Sequence, residues 1–133
     1  MSEPTFLTLN ETLRLHDRSL AEHGGIAGTR DPGLVESALA SAKNTYFYAQ
    51  GDVFDVAASY AFHLAEAQAF IDGNKRTAVA AELVFLAING VYARPSQMEV
   101  YQAMIQIAEK KMSKADLAIV FRKTAEGKIE KST

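Results

Sequence analysis

Apolar residues recur at helical spacing along nearly every long segment of this chain, and no apolar–polar alternation survives beyond a few residues. A chain so patterned packs helix on helix, because it has no half-buried strands from which to build a sheet. Its 133 residues suffice for one core without cross-links. The expectation is a single all-α domain spanning residues 1–133, with residues 1–6 and 125–133 flexible. Cysteine is absent, which excludes a disulfide scaffold, a thiolate nucleophile, Cys-ligated zinc and iron–sulfur clusters. A net charge of −2 argues against a broad basic face, so no nucleic-acid partner is expected. The longest apolar run, Ala78 to Ile88, is broken by Glu82 and falls short of the roughly 18 residues of a membrane span. The start, Met1-Ser2-Glu3-Pro4, lacks the features of a signal peptide, so the reading is cytoplasmic with no membrane partner.

Six helices are expected. The first runs from about Asn10 to Gly24-Gly25, with Leu13, Leu15 and Leu20 turned partly inward. A glycine-rich loop, His23 to Arg30, follows. Asp31-Pro32 supplies a cap and a first-turn proline for the second helix, whose stripe is Leu34, Val35, Ala38, Leu39 and Ala42. Between Lys43 and Asp52 the pattern fails, and Tyr46-Phe47-Tyr48 followed by Gln50-Gly51-Asp52 suggests a short extended flap before the third helix. That helix spans about Val53 to Ala67. The fourth, roughly Asn74 to Asn89, is apolar nearly all round from Ala78 to Leu86, as a central buried helix would be. Ser96-Gln97-Met98-Glu99 reads as a capping box for the fifth, with Arg94-Pro95 as a linking turn. Ser113 opens the sixth, which should end near Lys123.

The chemistry is concentrated in Gln68-Ala69-Phe70-Ile71-Asp72-Gly73-Asn74-Lys75-Arg76-Thr77. Gly73 permits a backbone conformation closed to other residues just ahead of a helix. Free N–H groups and the positive end of the dipole make such a helix start an anion site. Asn74 adds amide donors, and Lys75 and Arg76 add two cations where cations disfavour the helix itself. A bound polyphosphate offsets that cost, and Asp72 is a hard oxygen ligand suited to Mg²⁺ held jointly with phosphates. The plain alternative is a surface turn and a solvated helix end. The arrangement is not the Gly-x-x-x-x-Gly-Lys-Ser/Thr phosphate loop. Phe70 reads as a core anchor for the turn rather than a nucleotide-stacking ring.

This segment resembles the signature loop of the Fic/Doc (Fido) family, His-x-Phe-x-(Asp/Glu)-(Gly/Ala)-Asn-(Gly/Lys)-Arg, and the likeness extends over most of residues 7–123. The resemblance implies a six-helix Fic/Doc-type bundle. Lys75 stands where adenylyl-transferring members usually carry Gly, and Val79 where they usually carry a second Arg. Both departures match the death-on-curing (Doc) toxin branch and disfavour an adenylyl transferase. The self-inhibition motif (Ser/Thr)-x-x-x-Glu-(Gly/Asn) is missing, because Arg122 lies four residues before Glu126. The resemblance therefore implies a toxin restrained by a separate Phd-like antitoxin chain. It also implies ATP or another NTP with Mg²⁺ as cofactors, and phosphoryl transfer to a hydroxyl of a translation elongation factor. Carried over position by position, Asp72 would hold Mg²⁺, and Gly73 and Asn74 would cradle phosphate. Lys75 and Arg76 would neutralise transition-state charge. Tyr46, Phe47 and Tyr48 either form the target-binding flap by strand addition or cover the junction of helices two and three.

Gln68 occupies the position of the family's general-base histidine. A carboxamide orients a hydroxyl but takes no proton near pH 7, and losing a positioned base costs about 10²- to 10⁴-fold. An impaired or inactive catalyst is expected, with a non-catalytic binding module, a pseudoenzyme, as the alternative. His63 lies five residues earlier, about 140° around and roughly 7.5 Å back on a helix, so a structural role between helices is expected. His16 and His23 are expected at the surface, and three scattered histidines make a poor metal site.

Overall fold

Capping side chains set four of the six helix starts. Helix α1 (Leu9–His23) begins at a capping box in which Thr8 accepts from the Glu11 N–H and Glu11 accepts from the Thr8 N–H. Helix α2 (Pro32–Phe47) starts at Asp31, whose carboxylate accepts from the Gly33 N–H, with Pro32 in the first turn. Helix α3 (Val53–Ala67) has a reciprocal box between Asp52 and Asp55. Helices α4 (Asn74–Ile88) and α5 (Gln97–Ala108) follow, and α6 (Lys114–Ser132) opens on a Ser113–Asp116 box. This computed structural model describes residues 3–92 and 97–132. Ser96 and the Arg94-Pro95 turn lie outside them, and with Ser96 the expected cap of α5. Among the described residues there is no strand, only one bridge between Thr29 and Phe70, and no helix is long and apolar enough to cross a membrane.

The enclosed helix is α3, not α4. Val56 through Ala61 are all fully buried, and α3 packs against α2, α4, α5 and α6. Helix α4 buries one face, Thr77, Ala78, Ala81, Glu82, Phe85 and Leu86, while Val79, Ala80, Leu83 and Val84 stay half-exposed. An apolar circumference was a poor guide here, since apolar atoms also furnish much of any protein surface. Ala57, Ala58, Ala61 and Ala65 on α3 are buried, as are Ala78 and Ala81 on α4, and short side chains let two axes approach closely.

Helices α2, α3 and α4 run alternately up and down. The start of α2 lies beside the end of α3 through Arg30 N–H donating to the Ala69 carbonyl (2.7 Å), and the end of α2 meets the start of α3 through Gly51 N–H and the Thr45 carbonyl (2.9 Å). The extended flap expected at Tyr46–Tyr48 is helical: α2 continues through Phe47, and Tyr48 caps it. Its last turn is held by packing. Tyr46 and Phe47 contact Phe6, with ring centroids 6.0 and 5.7 Å apart, and Phe6 also stacks on Phe85. This cluster covers the junction of α2 and α3, and it pins a segment expected to be loose. Thr5 is fixed as well, exchanging two hydrogen bonds with the Asn89 carboxamide (2.8 and 2.9 Å).

Helix α6 runs to Ser132, past the expected end near Lys123 and through residues 125–132 of the segment expected to be loose. Ala, Glu and Lys, which dominate that stretch, are strong helix formers. Two contacts tie α6 to α3. Arg122 donates twice to the Asp52 carboxylate (3.1 and 2.9 Å) and lies over the Phe54 ring. Lys114 Nζ donates to His63 Nε2 at 3.0 Å. His63 is therefore the interhelical residue its spacing predicts, and burial, then the Lys114 charge, lowers its pKa.

Glu82 is almost fully buried, and among the described residues neither carboxyl oxygen has a hydrogen-bond partner. Burial pushes its pKa well above the ordinary 4.5. The folded state thus keeps a proton that the unfolded chain releases. The stability linked to that proton is complete below about pH 4.5 and is lost as pH rises through the raised native value. Glu82→Met should raise stability at neutral pH by about 1–3 kcal/mol. Urea unfolding at pH 5 and pH 8 checks this: the gain over the parent should be larger at pH 8.

Candidate functional site: the turn between α3 and α4

Helix α3 ends at Gln68, whose backbone is left-handed (φ 52, ψ 39). Such a residue commonly terminates a helix, though usually as glycine. The Gln68 side chain folds back, and its Nε2 donates to the Ala65 carbonyl at 3.1 Å. Phe70 follows, 1% exposed, as the core anchor the sequence indicates. Asn74 closes the turn over it. Its Oδ1 accepts from the Phe70 N–H (3.0 Å) and its Nδ2 donates to the Phe70 carbonyl (2.9 Å). The amide expected to face phosphate is thus spent on the chain's own backbone, and Asn74 is buried.

Gly73 precedes α4 with φ 80 and ψ 17, and no side chain among the described residues caps this helix start. The first intrahelical bond is from Thr77 N–H to the Gly73 carbonyl (3.0 Å), so the N–H groups of Asn74, Lys75 and Arg76 have no acceptor within the helix. Lys75 is exposed in this first turn, and Arg76 is half-exposed. Gln68, Asp72, Gly73, Asn74, Lys75 and Arg76 line one open cleft of about 460 Å³, with His23, Gly24 and Gly25 as its opposite wall. The residues predicted from the signature segment therefore meet at one place. Tyr46, Phe47 and Tyr48 do not. They sit at the opposite end of α3, a helix of 15 residues and hence about 22 Å long.

The glycine-rich loop after α1 had no assigned role in the sequence, yet it forms a wall of the site. Ile71 N–H donates to the Gly28 carbonyl at 3.1 Å. The Asp72 carboxylate accepts from the Ile26 N–H through Oδ2 (3.1 Å) and from the Gly73 N–H through Oδ1 (2.8 Å), while Arg76 Nη2 donates to the Gly24 carbonyl (3.0 Å). A Cβ on Gly25 (φ 123) would fall 2.7 Å from Asp72 Oδ2, so both conformation and approach require glycine there. The hydrogen bonds from Ile26 and Gly73, with Arg76 nearby, lower the Asp72 pKa, so this group is a carboxylate at neutral pH.

His16 was expected at the surface, but it is 2% exposed. Its ring stacks on Phe70 at 3.8 Å and 9°, and its Nε2 meets the Asp72 carbonyl at 2.7 Å. The signal was present in α1: Thr12, His16 and Ser19, at i, i+4 and i+7, are its buried face. Leu13, Leu15 and Leu20 are only partly covered. His23 is exposed, as expected. Among the described residues no three His, Asp or Glu side chains gather as a metal site, so a divalent cation at Asp72 would need ligands from a bound phosphate.

An uncapped, doubly cationic helix start beside a single carboxylate, closing an all-helical bundle, defines a class. The Fic/DOC family pattern matches residues 6–86, and the chain belongs to that family. Within it, the chain is 38% identical over 82 residues to the protein kinase doc of Escherichia phage P1, covering 61% of this chain and 65% of that protein. It is 44% identical over 70 residues to the toxin Doc of Mycolicibacterium smegmatis, covering 51% and 54% respectively. The match thus spans less than two thirds of either relative.

The two Asn74 bonds give the turn a direct test. Asn74→Ala leaves the Phe70 N–H and carbonyl without partners in a buried setting and should cost about 2–4 kcal/mol of unfolding free energy. Chemical denaturation measures it. Lys75→Ala, at an exposed position, should change stability by less than about 0.5 kcal/mol.

Proposed function

We propose that this chain is a Doc-type toxin of a toxin–antitoxin pair, whose site binds a nucleoside triphosphate with Mg²⁺ and is directed at a hydroxyl of a translation elongation factor. The observation that carries the phosphate reading is the uncapped start of α4, where Gly73, Lys75 and Arg76 share one cleft with the Asp72 carboxylate. The relatives named as a kinase and a toxin support the activity class. Free N–H groups at the helix start and the two cations bind and orient an anionic chain of phosphates. Asp72 keeps a lone pair on each oxygen beyond its backbone bonds, which suits a hard cation shared with phosphate. When bound, Mg²⁺ neutralises charge on the transferring group. Asn74 acts by holding the turn, and Phe70 by anchoring it. With its Nε2 engaged by Ala65, Gln68 offers Oε1 to a target hydroxyl and orients it without removing its proton. The chain on this reading is a weakened catalyst, restrained by a separate antitoxin, Phd-like in kind.

A non-catalytic module that binds nucleotide or protein is the second reading, favoured by that same carboxamide tied back onto α3. The glycine-rich wall at 24–30, rather than Tyr46–Tyr48, is the segment beside the site that a target strand could join.

The parent and Gln68→His, each incubated with Mg²⁺, a bacterial lysate and α- or γ-labelled ATP, test both readings. The histidine form should move γ-label onto a protein about 10²-fold faster or more. Label from the α position would mean nucleotidyl transfer and overturn the kinase reading. No labelling by either form, together with no ATP binding, would leave the protein-binding module.

A further inference from the structure

His16 joins two observations that the site itself does not explain: a histidine packed flat on the loop anchor, and a short hydrogen bond to the carbonyl of the residue before Gly73. The acceptor at 2.7 Å is a backbone carbonyl, so Nε2 is the protonated nitrogen and donates. The donor is nearly excluded from solvent and held by stacking at 3.8 Å on Phe70. The bond fixes more than one atom. In a trans peptide the carbonyl of Asp72 and the N–H of Gly73 lie in one plane and point in opposite directions. Holding the carbonyl against the α1 ring therefore turns the Gly73 N–H the other way, where it meets Asp72 Oδ1.

That orientation is not guaranteed by the chain. Rotating the 72–73 peptide by half a turn would carry Gly73 from φ 80 to a negative φ, and glycine accepts both. The rotated peptide would break the Gly73 N–H bond to Asp72 Oδ1 and turn its carbonyl oxygen to that side, an acceptor beside the start of α4 where an anion would sit. His16 is the one side chain from outside the signature segment that bonds to this peptide among the described residues.

We propose that His16 is a positioning residue that locks the Asp72–Gly73 peptide with its N–H on Asp72 Oδ1 and its carbonyl turned away from the cleft, and so keeps the start of α4 receptive to anions. The lock rests on the phosphate-site reading for its purpose, though not for its geometry. It works through a donor and a stack that different substitutions remove separately. His16→Phe keeps an aromatic ring on Phe70 and removes the donor. His16→Gln restores an N–H donor without the ring.

The test compares the parent, His16→Phe and His16→Gln by amide NMR with hydrogen exchange and by calorimetric titration with inorganic tripolyphosphate. The result expected is a folded His16→Phe whose Gly73 amide shifts and exchanges about tenfold faster, with affinity for tripolyphosphate about tenfold lower, and recovery of both in His16→Gln. A Gly73 amide unchanged in His16→Phe would overturn the lock. So would an altered amide with unaltered affinity, since His16 would then be structural only. If His16→Phe fails to fold, His16→Gln decides: parental amide and affinity support the lock, and loss of both despite the donor overturns it. A parent that binds no tripolyphosphate is a separate result: it overturns the phosphate site, and with it any anion-directed role for His16, before any variant is compared.

Discussion

The site depends on one side chain satisfying two backbone groups. Phe70 must be buried to anchor the turn, yet burying a residue between two helices leaves its N–H and carbonyl without helical partners. Asn74 supplies both, one from each end of its carboxamide. Five residues are thereby closed into a ring around a core aromatic, and the Asp72 and Gly73 groups of the cleft inherit their position from that closure. The other half of the support comes from α1, where His16 lies against the same phenylalanine. A polar turn is thus held from within by a packed aromatic, which is why its charged residues can remain open to solvent.

Most of the architecture was legible because helix punctuation is local. Asp31-Pro32 and Ser113 open helices where the pattern places them, and the bounds of α3 agree with its apolar run. One side of the cleft was legible for the same reason, since Gln68 to Arg76 are neighbours in one decapeptide, whereas its other wall, His23 to Gly25, was not. What was not legible depends on partners distant in sequence. The identity of the enclosed helix is decided by how many others surround it, which periodicity does not encode. Tyr46 and Phe47 look like an irregular break, but Phe6, some 40 residues away, gives them a reason to stay helical. The inward turn of the Asn74 side chain was also not legible, because its partner at i−4 lies outside the helix it begins.

The division of labour within the bundle follows from the antiparallel run of α2, α3 and α4. One end carries the aromatic cluster and the Thr5–Asn89 pairing, and the other carries the cleft. Helix α6 is joined to the first end by Arg122 and partway along α3 by the Lys114–His63 bond. Neither contact touches the signature turn. The exposed cations of the cleft therefore lie away from the contacts that hold α6 and the Phe6 segment, an arrangement that leaves them free to be poor choices for folding, as two cations at a helix start are.

The bonds from Asp72 to Ile26 and from Arg76 to Gly24 carry a thermodynamic consequence. The glycine segment is held by the same carboxylate and guanidinium that face the cleft, so its docking and any occupancy of the cleft are linked functions. Linkage is reciprocal: whatever factor an occupant applies to the docking equilibrium, docking applies to the occupant's affinity. The segment and the cleft are one equilibrium with two handles, and a partner that grips the first adjusts the second without entering it.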